Sequence, residues 1–312
     1  MESSRAARRH RARASSRRRP ILLTALAVLA TAGGTAYVET HDGGADGVVS
    51  SAPAVPSTPA ARTREGTVTV PETDHTALLK SALEAVSVPG DAAVAVGVLD
   101  LASGESAVSG EAAFDTASIV KVDILAALLL QAQDAGRRLT GQERAYAAAM
   151  IEYSDNDSAS ALWNTIGQAE GLDAANERFG MSGTEGGEGA LWGLTRTTAA
   201  DQLVLLRQVF GEESELSQVS REYVRGLMAQ VRADQGWGVS AAARGAEWAV
   251  KNGWLARSTT GLWDVNSIGR VAAGDGSYLV AVLSDGNVSM RAGISLVEEA
   301  ARAAVGAFTA TP

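Results

Sequence analysis

Ser118 is followed three residues later by Lys121 inside the segment 114–130, which reads FDTASIVKVDILAALLL. The second half of that segment is apolar almost all round, the pattern of a helix buried in a core. An ammonium placed there without a partner is costly enough that the group tends to shed its proton. Residues three apart lie on one helical face, so Ser118 and Lys121 point into one space, with the hydroxyl at the first turn. A serine beside a desolvated amine is a nucleophile with its base. The plainer alternative is a structural lysine whose head snorkels to solvent.

The use of lysine is itself informative. Of 27 basic residues, only Lys80, Lys121 and Lys251 are lysines. A chain that otherwise uses arginine for positive charge, yet keeps two lysines in motif positions, needs a titratable amine there. A second cation near Lys121 would lower its proton affinity further, and Lys251 is the candidate. His10, His41 and His75 all precede the Ser118 segment, so no Ser-His-Asp triad is expected and the base must be something else. The absence of cysteine excludes a thiolate nucleophile, thiolate metal sites and a lipidated cysteine anchor. No metal and no cofactor are expected.

The elements that must position these groups follow from periodicity. Residues 76–86 have helical spacing and stop before Pro89-Gly90. Residues 92–101 read as a strand, 102–105 as a turn and 106–109 as the return strand. The Ser118 helix ends near Gly136, and Thr140-Gly141-Gln142-Glu143 is a capping-box start for a helix through Glu152. Helices continue over 158–166, 172–179, 198–210 and 217–231, and a last one spans 291–308. Strand character returns at 247–255, 262–273 and 278–284, with Asp275-Gly276 as a turn. Strands at both ends with helices between them predict an α+β fold, in which an antiparallel sheet formed from N- and C-terminal strands meets a central helical lobe. The cleft between sheet and lobe is the expected place for a site.

The N-terminal part has another character. Residues 1–19 hold eight arginines and one glutamate, a basic tail, and residues 20–38 are nearly free of charge, which reads as a signal peptide or membrane anchor. The tail is expected in the cytoplasm and the remainder outside, secreted or anchored to the outer face of the cytoplasmic membrane by 20–38. Ala30-Thr31-Ala32 offers a cleavage site and Ser16-Arg17-Arg18-Arg19 resembles a twin-arginine signal, so cleavage and retention both stay open. Residues 39–66 are a spacer rich in Pro, Ala, Gly and Ser, expected to be disordered, and the domain follows over 67–312. Without the tail the chain has 19 basic and 35 acidic residues, which argues against a nucleic-acid partner.

Two further motifs join Ser118-x-x-Lys121: Ser154-Asp155-Asn156 in a non-helical break between helices, and Val250-Lys251-Asn252-Gly253 on the first returning strand. Asp155 reads as a cap for its turn. The order S-x-x-K, S-D-N and K-T-G on helix start, interhelical turn and sheet strand resembles the class A β-lactamases and their penicillin-binding relatives, from about Asp91 to the C-terminus. The resemblance implies that Ser118 is the acylated nucleophile and Lys121 its base. It further implies that Ser154 relays a proton to the leaving nitrogen, that Asn156 binds the substrate's amide side chain, and that Lys251 holds Ser154 and the substrate carboxylate. The oxyanion hole would be the N–H groups of Ser118 and Trp254, and Gly253 and Trp254 would join Asn156 and Asn252 in binding the substrate.

The sequence departs from that family in two places. Class A enzymes carry a Glu-x-x-Leu-Asn pattern whose glutamate activates the deacylating water, whereas residues 181–192 here read MSGTEGGEGALW. Glu185 and Glu188 sit outside the pattern and read as solvated loop residues. Asn252 replaces the hydroxyl residue of K-T-G and would donate to a carboxylate through its amide, with different geometry. Arg257 and Arg270 follow on the sheet without an assigned carboxylate. The expectation is therefore an extracytoplasmic, monomeric serine hydrolase acting through an acyl-enzyme on a β-lactam or related cell-wall peptide amide. A D-Ala-D-Ala carboxypeptidase or transpeptidase, and a catalytically weak cell-envelope binding module, are the alternatives. The expected partners are a small-molecule or peptidoglycan-type substrate and, if 20–38 is retained, the membrane.

Overall fold

The computed structural model describes residues 73–245 and 247–310. The basic tail, the export or anchor segment and the spacer lie outside the described residues. In chain order the elements are α1 (His75–Leu83), β1 (Ala93–Asp100), β2 (Ser106–Ser109), β3 (Phe114–Asp115), α2 (Val120–Asp134), α3 (Gly141–Glu152), α4 (Asn156–Ile166) and α5 (Gln168–Phe179). There follow β4 (Arg196–Thr197), α6 (Ala199–Phe210), α7 (Gln218–Met228), β5 (Trp248–Ala256), β6 (Trp263–Ala273), β7 (Gly276–Asn287) and α8 (Met290–Thr309).

The five-stranded sheet runs β2-β1-β7-β6-β5 and every pairing is antiparallel. N- and C-terminal strands meet at the β1–β7 seam, where Val96 faces Val282 across the ladder, as the expected α+β arrangement requires. Side chains alternate between the faces of a strand, and the sheet thereby serves two cores. Ala95, Leu99, Leu279, Ala281 and Leu283 join the helical lobe, while Val96, Val98, Val280 and Val282 join α8 through Val297, Ala300 and Ala304.

In α2 every residue from Val120 to Leu130 is buried. Each buried leucine or isoleucine contributes about 1.5–3 kcal/mol relative to exposure, so α2 is fixed by its own burial. Its neighbour α3 starts at the expected capping box: Glu143 N donates to Thr140 Oγ1 at 3.1 Å and Thr140 N donates to Glu143 Oε2 at 2.7 Å. The break before α4 is shorter than the sequence implies. Asp155 caps α4 by accepting from Ser158 N at 2.7 Å, and Asn156 is already helical.

The β3–β4 pair and the 3-10 turns at Trp192–Leu194, Ala233–Gln235 and Gly238–Ala242 have no counterpart in the sequence reading. Elements of two to five residues are too short to carry a period. Among the described residues no helix is long and apolar enough to cross a membrane.

Candidate active site

Ser118 lies in a single 3-10 turn, Ala117–Ile119, that leads into α2, rather than in the α-helix itself. Ala117 before it adopts a left-handed backbone with φ of 47°, a conformation costly for a residue with a side chain. Three structures over-determine this turn. The β3–β4 pair leads into it, with Thr116 N donating to Thr195 O at 2.9 Å. Asn266 on β6 donates from Nδ2 to Asp115 O at 2.9 Å and Thr116 O at 3.0 Å, while its Oδ1 accepts from Ser284 N. Gly253 on β5 completes the contact: a Cβ there would stand 2.7 Å from Ser118 N and 2.8 Å from Thr116 O. Only glycine lets the strand approach so closely. Because β5 is the edge strand, alternate N–H groups along it have no ladder partner.

Lys121 and Lys251 both donate to one hydroxyl. Lys121 Nζ lies 3.1 Å from Ser154 Oγ and Lys251 Nζ lies 3.0 Å from it. Lys121 also donates to Ser154 O at 2.6 Å and Asn156 Oδ1 at 2.8 Å, and Lys251 to Asn252 O at 2.9 Å. Ser154 itself has φ of 55°, so its left-handed backbone turns carbonyl and hydroxyl together toward the lysine. Both ammonium groups are out of solvent, at 0% and 1% exposure. Burial holds Lys121 down to about 7, opposed by the charge of Asp155. Burial also pulls Lys251 well below its ordinary range, with repulsion from Lys121 second. Two amines on one hydroxyl in a dry site cannot both keep a full charge at low cost. The result is that Lys121 yields its proton near neutral pH, with Lys251 lowered beside it.

The structure thus joins Lys121, Ser154, Asn156 and Lys251 in one hydrogen-bonded cluster and sets Gly253 against the backbone of the Ser118 turn; among the described residues no hydrogen bond joins the Ser118 hydroxyl to Lys121, and Asn252 and the Trp254 ring face elsewhere. Along β5, Ala249 belongs to the helical-lobe core and Val250 to the α8 core, so Lys251 and Gly253 face the lobe while Asn252 and Trp254 face away. Asn252 is 1% exposed and donates both amide protons internally, to Gln235 O at 2.7 Å and Trp237 O at 2.9 Å. This corrects the expectation that Asn252 donates to a substrate carboxylate: its amide instead pins the loop after α7. The Trp254 ring packs on Trp237, with centroids 6.0 Å apart, and so leaves only its backbone to the nucleophile side. Neither arginine left unassigned on the sheet is free. Arg257 pairs with Asp115 and with Asp264 Oδ2 at 2.6 Å, and Arg270 stands 3.7 Å from Glu247.

The loop between α5 and α6 contributes a group that sequence reasoning passed over. The Trp192 ring lies over Lys121 Nζ, 5.0 Å from its centroid, and its Nε1 donates to Ser160 Oγ on α4 at 3.1 Å. Glu185 and Glu188 are exposed, and among the described residues no carboxylate forms an ion pair or hydrogen bond with Lys121. A cavity of about 410 Å³ between α2, α3 and α7 shares no residue with this centre.

The sequence profile of the Beta-lactamase enzyme family matches residues 142–308, just over half of the chain. That stretch includes Ser154, Asn156 and Lys251 and begins after Ser118 and Lys121. No curated protein sequence matches the chain. Among solved structures, PBP-A aligns with a TM-score of 0.64 at 21% identity, covering 76% of this chain and 97% of PBP-A. The TLA-1 extended-spectrum β-lactamase aligns at 0.64 and 14% identity, covering 75% and 98% of the two chains. A class A β-lactamase from Bacteroides cellulosilyticus does so at 0.64 and 14% identity, covering 77% and 100%. At these identities the likeness is one of fold.

Proposed function

Since the chain belongs to the beta-lactamase enzyme family, we propose that it is an exported serine hydrolase that forms an acyl-enzyme at Ser118 with a β-lactam or a related cell-wall peptide amide. The observation that carries this reading is the convergence of two buried, proton-poor amines on the Ser154 hydroxyl beside the Ser118 turn. The neutral form of Lys121 takes the Ser118 proton as the oxygen attacks the carbonyl carbon. The N–H groups of Ser118 and Trp254 hold the oxyanion, each donor worth about 2.7–4 kcal/mol of transition-state stabilisation. When the C–N bond breaks, Ser154 passes its proton to the leaving nitrogen and recovers one from Lys121. Lys251 gains its proton when a substrate carboxylate arrives beside it and then holds that carboxylate. Asn156, whose Oδ1 is bound by Lys121, keeps its amide N–H for the substrate.

Release of the acyl group is the slow half of the reaction. A water that attacks the ester needs an acceptor for its proton. The Lys121 head is surrounded by Ser154, Asn156 and the Trp192 ring, and the loop glutamates are in solvent. This favours a penicillin-binding protein of carboxypeptidase or transpeptidase type over a fast lactamase. The basic tail and apolar segment support placing the domain outside the cytoplasmic membrane, as a monomer that meets a peptidoglycan-type substrate and no nucleic acid.

Mixing the full-length protein with penicillin G and following intact mass and hydrolysed product together tests this. The expected result is one added penicillin that persists while little product forms. Rapid product without adduct would replace the slow reading by a lactamase. Neither adduct nor product, with D-alanyl-D-alanine peptides also inert, would overturn the enzyme reading and leave a binding module.

A further inference from the structure

Asp123 sits two residues beyond Lys121 on α2, 1% exposed, and no donor reaches either of its carboxyl oxygens with good hydrogen-bond geometry. A carboxylate left in that state is strongly destabilising. The cations on α2 and the helices around it turn elsewhere: Lys121 to Ser154 and Asn156, Arg144 of α3 to Leu139 O, Arg178 of α5 to Asp134 and Glu215, and Arg221 and Arg225 of α7 to Glu212 O and Val209 O, while Arg207 of α6 is exposed. Burial is the strongest influence on Asp123; its own backbone N–H and the Gln202 amide of α6 approach it and favour the charged form, while the charge of Asp201 on α6 opposes a second negative charge nearby.

The direction of the hydrogen bonds around Gln202 is fixed from the far end. Asp201 Oδ2 accepts from Gly183 N at 2.8 Å and from Thr184 Oγ1 at 2.7 Å. A hydroxyl carries one proton. Thr184 has given its proton to Asp201, so in its 2.8 Å contact with Thr197 Oγ1 it must accept. Thr197 has then given its own proton, so the 3.0 Å contact between Gln202 and Thr197 Oγ1 must be donated by Gln202 Nε2. Turning the amide round would set two acceptors against each other. Gln202 Oε1 is therefore left as a buried acceptor without a donor.

We infer that Asp123 is carried as the neutral acid and that its O–H donates to Gln202 Oε1, heading a one-way hydrogen-bond chain through Thr197 and Thr184 to the Asp201 carboxylate. Burial pushes the Asp123 carboxyl up to about 8, in keeping with that chain. The chain ties the nucleophile helix to α6 and to the loop that holds Trp192 over Lys121. Asp123 touches no reacting atom and is a positioning residue. Its bearing on catalysis rests on the proposed reaction, whereas its protonation does not.

Two measurements on the full-length protein and its Asp123→Asn variant decide the protonation. The infrared spectrum of the wild type at pH 7 should contain a neutral carboxylic-acid band that Asp123→Asn lacks, and the band should vanish with a midpoint near pH 8. An unfolded aspartate loses its proton near 3.8 and the folded one near 8. Between these values the folded state binds more protons, so wild-type stability falls as pH rises. The Tm of Asp123→Asn minus that of the wild type should therefore grow toward pH 8 and level off above it. No such band, with a Tm difference independent of pH above 5, would overturn the inference. The band needs no variant, so the result stands even if Asp123→Asn folds poorly. For positioning, Asp123→Asn, which still offers an N–H to Gln202, should acylate with penicillin as the wild type does. Asp123→Leu should lose about tenfold or more. Equal rates in both variants would remove the positioning role, and an inert wild type would instead strike the proposed reaction.

Discussion

Lys121→Met lowers the rate of Ser118 acylation by about 10²–10⁴-fold, the usual contribution of a positioned proton acceptor. Methionine has similar length and no charge, so the buried site still packs, and what disappears is the proposed proton path from Ser118 through Lys121 to Ser154. The wild-type rate should rise with pH through about 7, where burial lets Lys121 become neutral, and that limb should be absent from the variant. Stability moves independently of rate. Because burial lowers the folded-state value from 10.5 to about 7, the unfolded chain binds more protons between those values. Wild-type stability therefore rises with pH across that window, by about 5 kcal/mol in total. The same variant loses that rise. Against this, Ser154 O and Asn156 Oδ1 each lose a donor at a cost of about 1–3 kcal/mol. Stopped-flow acylation and denaturant melts across pH separate the two effects, and an unchanged acylation rate would remove Lys121 from the role of base.

Gly253→Ala acts on the same step through geometry alone. The added methyl would stand 2.7 Å from Ser118 N, 2.8 Å from Thr116 O and 2.9 Å from Ile119 N, and all three are backbone atoms of a braced turn. The turn cannot yield, because Asn266 and Thr195 hold Thr116 from other sides. The edge strand must move outward and carry the Trp254 amide with it. Losing one oxyanion donor costs about 10²–10³ in rate, and the overpacking costs about 1–3 kcal/mol of stability. A variant that acylates at the wild-type rate would show that β5 does not supply the oxyanion contact.

Much of this centre was legible in the sequence, because its parts lie where local rules are strong. Lys121 stands out in an apolar helix, Asp155 is a recognisable cap, and Lys251 lies on an alternating strand. The same alternation assigns Asn252 and Trp254 to the opposite face from Lys251. Trp192 was not legible: its contact with Lys121 depends on a three-residue turn docking beside the Ser118 turn, and no period encodes that. Nor was Asn266, which braces Thr116 across 150 residues of chain. Asp123 interrupts the same apolar run as Lys121, but its partner Gln202 lies on a helix brought alongside only by the fold.

The central claim is that Ser118 is acylated because the two lysines and Ser154 move its proton. Intact-mass and peptide-mapping measurements after incubation with penicillin G, on full-length wild type and Ser118→Ala, test it most directly. The account predicts one penicillin added to the wild type on the peptide containing Ser118, and none added to Ser118→Ala. An adduct on any other residue, or one that survives Ser118→Ala, would contradict it.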